Sequence, residues 1–257
     1  MNIVGRLYEY RELLKSNVKK DIRGKYKGSF LGILWSFINP LLTVLVYAIV
    51  FPYILRVKQE NYLIFLIIGI IPWAFFTYVI TYVTTTILNN AEVIKKVYFP
   101  REILPISVAT SGLVNFFISC IIIFLFVIFS GIGLTKYIIL IPVVAFIQFI
   151  LSLGLIFITS AVDIYIRDLE YIVTFFINLL FYATPIIYSV DMFPERFRWV
   201  LKLNPLSNLI EAYRDILYYG QMPNLTSLFY VAITSIIILF IGYFTFRKLE
   251  KGFAEEV

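Results

Sequence analysis

From Tyr62 to Leu88 the chain reads YLIFLIIGIIPWAFFTYVITYVTTTIL, twenty-seven residues without Asp, Glu, Lys, Arg or His. As a helix rising about 1.5 Å per residue it would measure roughly 40 Å, more than the roughly 30 Å hydrocarbon core of a bilayer. It is apolar around its whole circumference rather than along one stripe, which suits lipid or a fully packed membrane bundle. Pro72 inside the run is tolerated in such a helix when neighbours satisfy the carbonyl it frees. Similar uncharged runs lie on both sides: Ile33 to Leu55 before it, and Ile103 to Thr135, Tyr137 to Val162, Tyr171 to Val190 and Leu225 to Phe246 after it. The expected fold is therefore an all-α membrane protein with six transmembrane helices. Composition agrees: 61% of the 257 residues are hydrophobic and 15% charged, with a mean hydropathy of +0.89, whereas soluble domains are about half apolar and a quarter charged.

The formal charge is +6. It could suit nucleic acid, but the cations flank the apolar runs, as they do in cytoplasmic loops, so no nucleic-acid partner is expected. Lys95, Lys96, Arg101, Arg167, Arg247, Lys248 and Lys251 fall on the side of the basic N-terminal segment, which predicts that both termini are cytoplasmic. Arg56, Lys58, Lys136, Arg196, Arg198, Lys202 and Arg214 fall opposite and weaken that bias without reversing it. Residues 1–30 read as an amphipathic helix at the membrane interface, with Ile3, Leu7, Tyr10, Leu14, Val18 and Ile22 along one face. This stretch is too long and too charged for the start of a signal peptide, and it is expected to stay attached. Residues 31–257 are expected to form the six-helix transmembrane domain.

Between the fifth and sixth runs, residues 191–223 are too apolar for a solvated loop and too interrupted to span. Asn204 is placed to cap a helix that Pro205 begins and Gly220 ends. Two short re-entrant helices are expected, closing the outer mouth of a pore. Leu209, Ile210 and Tyr213 would pack against the fifth and sixth spans, with Glu211, Arg214 and Asp215 toward water or the departing cargo.

Chemistry is sparse. The absence of histidine removes the commonest general base and metal ligand, and the lone Cys120 inside an apolar run can build neither an intramolecular disulfide nor a zinc site, so no metal is expected. The apolar runs hold no ionisable group for a proton relay. No phosphate-binding loop is present, because the fragment Gly24-Lys25-Tyr26 lacks the upstream glycine and the following Ser or Thr. No catalytic residue and no bound cofactor are expected, and any ATP and Mg belong to a partner ATPase. Residues 91–98 can form a short cytoplasmic helix whose apolar Val93, Ile94 and Val97 alternate with Glu92, Lys95 and Lys96. It could dock in a partner's groove or simply lie at the interface. Among the many aromatics, Trp35, Tyr47, Phe51, Phe181 and Tyr182 could line a channel for sugar rings or face lipid. Asp163, Arg167, Asp168 and Glu170 gather at the cytoplasmic end of the fourth run, paired, solvated or touching a partner.

Several stretches stand out by their order and spacing: Asp21-Ile22, Tyr26-Lys27, Ser29, Leu31-Gly32, Trp35 and Pro40-Leu41 at the first span; Phe99-Pro100-Arg101-Glu102-Ile103-Leu104-Pro105 after the short helix; Arg167-Asp168-Leu169; and Asn204-Pro205-Leu206. In these the chain resembles the permease subunit of type-2 ABC exporters for lipid-linked polysaccharide, the O-antigen, capsule and wall teichoic acid group, over nearly its whole length. The resemblance implies a homodimer in the bacterial cytoplasmic membrane, bound to two cytosolic ATPases and exporting an undecaprenyl-diphosphate-linked glycan. It also implies that residues 91–98, with Arg101 and Glu102, form the contact to the ATPase. A drug or antibiotic efflux permease and a membrane glycosyltransferase are the alternatives. The glycosyltransferase ranks last, because the chain lacks an acidic cluster of the kind metal-bound sugar nucleotides require.

Overall fold

The computed structural model describes residues 3–24, 28, 30, 32–55, 59–97 and 99–256. Among them every regular element is helical: α1 (Ile3–Glu9), α2 (Arg11–Gly24), α3 (Trp35–Leu55), α4 (Tyr62–Thr84), α5 (Thr86–Asn89), α6 (Ala91–Lys96), α7 (Ile103–Phe129), α8 (Ile141–Val162), α9 (Leu169–Tyr182), α10 (Arg198–Leu203), α11 (Pro205–Leu217), α12 (Leu225–Leu249) and α13 (Phe253–Glu256). Four of these are long and apolar enough to cross a membrane: α4, α7, α8 with its lead-in from Lys136, and α12 with its continuation to Gly252. The shorter apolar helices are α9 and the Ile38–Pro52 part of α3.

The quoted stretch becomes the axis of the bundle. α4 packs against α3, α7, α8, α9 and α11, and Phe65, Leu66, Ile67, Ile68, Val79 and Val83 are sealed from solvent around its circumference. α12 instead buries one line, Leu228, Val231, Ser235, Gly242 and Phe246, and leaves Phe229, Ile233, Phe240 and Phe244 exposed. Its partner is α8. The two cross so closely at Gly154 and Gly242 that a Cβ at Gly154 would stand 2.6 Å from the Ile238 carbonyl carbon, and one at Gly242 would overlap the Gly154 carbonyl. With no hydrophobic force between helices in lipid, such backbone approach is what holds a pair together.

The amphipathic N-terminal segment forms two helices meeting at Tyr10, whose N–H still bonds the Arg6 carbonyl. The fifth run is shorter as a helix than its apolar length allows. α9 ends at Tyr182, and Pro185, expected as a kink within the run, lies beyond the helix end, where its missing N–H costs nothing. The first run forms α3 despite Pro40 and Pro52. Arg56 and Lys58, and Tyr26, Lys27, Ser29 and Leu31 of the first-span pattern, lie outside the described residues.

Two polar ends result. At one, the start of α2, α6 and the C-terminal turns of α8 and α12 gather around Ile87, Ile94, Phe99, Leu104, Phe157, Phe246 and Phe253. At the other, Tyr62, Ile187, Tyr218 and α11 close over the top of α4.

Candidate functional site

Between α3, α4 and α9 runs an open groove of about 600 Å³, lined by Asn39, Thr43, Tyr47, Trp73, Thr77, Tyr78, Asn178, Phe181 and Tyr182 among others. Tyr47, Phe181 and Tyr182, expected from the sequence, come together here. Phe181 meets Tyr47 at 6.0 Å and Trp73 at 5.6 Å between ring centroids. Phe51 stands behind, edge-on to Tyr47 at 5.3 Å. Trp35 is exposed on the first turn of α3 and is not among the groove residues. Trp73 was missed. Its only signal in the sequence is that it follows Pro72 in an otherwise aliphatic turn. The polar rim is amide and hydroxyl, with Asn39, Thr43, Thr77 and Asn178 and no ionised side chain among the lining residues. The Thr77 hydroxyl is shielded and finds no partner among the described residues. Concave apolar walls with a few polar groups characterise ligand sites. Here the walls are flat rings that can stack and slide, and nothing holds a charge.

The expected coupling segment divides in two. α6 carries Glu92, Val93, Ile94 and Lys95, and Val97 follows in extended conformation, while Tyr98 lies outside the described residues. Val93 and Val97 are 47% and 56% exposed, whereas Ile94 is 6% exposed and packed into the bundle. The expectation that Ile94 meets a partner is therefore corrected: on a helix this short, the residue facing α5 and the end of α12 has no second face to offer. Glu92 pairs with Lys96 in solvent.

Arg101 and Glu102 also turn inward. Glu102 is fully buried and ion-paired with Arg6 at 3.1 Å, and the same Arg6 nitrogen donates to the Tyr243 hydroxyl at 2.9 Å. Arg101 donates to the Glu250 carbonyl at 2.5 Å, and Arg247 holds the Glu250 carboxylate at 2.6 Å. The exit from α6 is thus clamped to both the N-terminal helix and the end of α12. Nearby, Asp163 is 1% exposed; its burial first, and the charge of Glu170 second, push its carboxyl up to about 6.

At the opposite end, the Asn204 side chain accepts from the Leu206 N–H at 3.0 Å, Pro205 opens α11, and Gly220 adopts φ +62° after it. Leu209, Ile210 and Tyr213 are buried as expected, but chiefly against α4, α8 and α12 rather than the fifth span. Arg214 reverses its expectation: instead of facing water or cargo it is fully buried. Its guanidinium donates to the carbonyls of Pro185 at 2.5 Å and Ile186 at 2.6 Å, pairs with Glu211 at 2.9 Å, and lies 3.5 Å from the Phe65 ring centroid. The turn after α9 exposes carbonyls that a helix would have used, and a planar cation with several donors answers them. The Asp215 carboxylate accepts from the Gln221 side-chain amide at 2.8 Å. A second missed residue, Gln148 of α8, accepts from the Tyr213 hydroxyl at 3.0 Å and donates to the Pro72 carbonyl at 2.9 Å. It ties α11 through the core to α4.

These features define a multi-pass membrane protein with an uncharged aromatic groove between a clamped end and a sealed end. The chain belongs to the ABC-2 type transporter family, whose model matches residues 12–218. It is 38% identical to the O-antigen export system permease protein RfbA of Klebsiella pneumoniae, over 95% of this chain and 94% of the relative. It is 33% identical to the protein of that name from Myxococcus xanthus, over the full length of both. To the polysialic acid transport protein KpsM of Escherichia coli it is 23% identical, over 91% of this chain and 92% of the relative.

Proposed function

We propose that this chain is the membrane subunit of an ATP-driven exporter that carries an undecaprenyl-diphosphate-linked polysaccharide across the bacterial cytoplasmic membrane. The observation that carries this reading is identity of 33% to 38% along whole O-antigen permeases, against 23% to a polysialic acid transport protein, so an O-antigen-type glycan ranks ahead of a capsule or a teichoic acid. The groove fits such cargo: hydroxyl-rich sugars need flat apolar faces and neutral polar partners, and fixed charges would hold them in place.

Six crossings fit the geometry, with α3 and α9 joining the four long helices. The N-terminal helix and the end of α12 meet at one end through Arg6 and Tyr243, which requires an even number. That end is the cytoplasmic one, where Val93 and Val97 meet the ATPase dimer and ATP and Mg are handled by that partner. α10 and α11 are then re-entrant from the outside. The groove is open along α3 and α9, so a second copy of the chain closes it into a tunnel.

Deleting the gene should leave lipid-linked polysaccharide accumulating inside the cell, with none at the surface. Purified chain reconstituted with its ATPase should restore ATP-dependent transfer, and Trp73→Ala or Phe181→Ala should slow transfer without changing assembly. A full polysaccharide coat in the deletion strain would overturn the proposal.

A further inference from the structure

α2 leaves a second cleft, of about 380 Å³, against α7. It is lined by Leu14, Val18 and Ile22 on one side, Thr110 on the other, and Lys15, Lys19 and Arg23 along its edge. The two ridges follow from helical spacing: residues four apart stack, so an apolar row and a cationic row run side by side along α2. Thr110 lies seven residues into α7, which at 1.5 Å per residue places the cleft about 10 Å from that helix end, the depth where headgroups meet acyl chains.

From this juxtaposition we infer that the cleft binds an anionic phospholipid of the surrounding bilayer, with part of one acyl chain against Leu14, Val18 and Ile22 and the phosphate along Lys15, Lys19 and Arg23. Lys19 and Arg23 supply complementary charge, together with Lys15, which also meets the Glu12 carboxylate at 2.9 Å, and the walls are almost wholly apolar, the two halves of such a lipid. A protein helix is a poor occupant, because a single turn about 10 Å across already fills more than this volume. The cations are spread over two turns of α2, about 12 Å, instead of converging on one point. That suits a headgroup lying in the interface rather than a single diphosphate gripped from all sides. Through α2 the lipid would bear on the same N-terminal segment that holds Glu102, so membrane charge would reach the clamped end of the permease.

The test uses the full chain, purified in mild detergent and analysed by native mass spectrometry with phosphatidylglycerol, phosphatidylcholine or undecaprenyl diphosphate added. One phosphatidylglycerol per chain should survive delipidation and phosphatidylcholine should not. K15Q/K19Q/R23Q should weaken retention on the order of a hundredfold, since each interfacial cation is worth about a fivefold factor. Lys20→Gln, outside the cleft, should not weaken it. Val18→Trp, which fills the apolar side and keeps every charge, should also evict the lipid, with helix content unchanged by circular dichroism. Equal retention of both phospholipids, or retention unaffected by the triple and Trp variants, would overturn the inference. Displacement of phosphatidylglycerol by equimolar undecaprenyl diphosphate would reassign the cleft to the transported lipid and overturn it equally. None of these outcomes depends on the export reading, because transport is not measured.

Discussion

Two short amphipathic helices stand at opposite ends of this bundle, and the chain treats them in opposite ways. α11 buries nine of its residues, including the whole of Arg214, whereas α6 buries only Ile94 and leaves Val93 to solvent. The first is finished from within, by Gln148, by Phe65 and by the carbonyls beyond α9. The second is finished only on its inner side. On the function proposed above, the first helix, its apolar surface used within its own chain, is the closure, and the second, with apolar surface left over, is the contact.

The largest effect should come from breaking the closure at its centre. Arg214→Leu would leave two backbone carbonyls unanswered in a buried site and the half-buried Glu211 carboxylate without its partner, and loss of one partner from such a network costs about 3–5 kcal/mol. Detergent-solubilised protein should melt far lower or fail to accumulate, and Arg214→Lys should recover only part of the loss, because an ammonium lacks the planar fork. Unchanged melting of both variants would mean that the outer end is held by apolar packing alone. Replacing Leu209 and Ile210 together by Ser removes about 1.5–3 kcal/mol of transfer energy per side chain. The double variant should assemble yet leak small solutes without ATP in proteoliposomes.

The contact is broken differently. Ile94→Asp puts a carboxylate among Ile87, Phe157 and Phe253 and should destabilise the permease itself by several kcal/mol. Val93→Asp should leave the melting temperature alone while the ATPase no longer co-purifies. If the two variants behave alike, α6 does not divide into an inner and an outer side. Between contact and bundle stands the Arg6–Glu102 pair. Glu102→Gln and Arg6→Gln should each loosen the clamp, with a coupling energy of about 1–3 kcal/mol in the double-mutant cycle, read as ATP hydrolysis no longer tied to export.

How much of this was legible beforehand differs between the ends for a physical reason. The long helices follow from uninterrupted hydropathy, and α11's start and stop follow from Asn204, Pro205 and Gly220, because capping is local chemistry. The fate of Arg214 was not legible. The periodicity of α11 sets Glu211, Arg214 and Asp215 together on a polar strip that reads as solvent-facing. What buries Arg214 is the pair of carbonyls at Pro185 and Ile186, left free where α9 stops short. Gln148 and Trp73 escaped for the same reason: each is one residue in an apolar run, and its partners, the Pro72 carbonyl and the Phe181 ring, lie in other helices. Likewise Ile94 and Val93 are equally apolar in sequence, and only the packing of α5 and α12 tells them apart.

The smallest expected effect is a pH dependence at the clamped end, carried by Asp163. Its carboxyl titrates near 6 in the folded chain, against about 3.9 when exposed, so between those values the folded state holds a proton that the unfolded state has released. Stability then falls as pH rises through that window and levels off above about 6, because the ionised carboxylate is the form that burial and Glu170 disfavour. The neutral Asp163→Asn variant should lose this part of the slope: its melting temperature in detergent should decline less from pH 4 to 7 than that of the wild type, the remainder being carried by Glu250 and the other carboxyls that burial raises. Glu170→Gln should shift the decline toward lower pH without abolishing it, since burial is the larger cause. Should the wild type gain stability across the same window, Asp163 is held ionised by a partner at this end, and the outward side of the contact extends beyond α6 to the turn after α8.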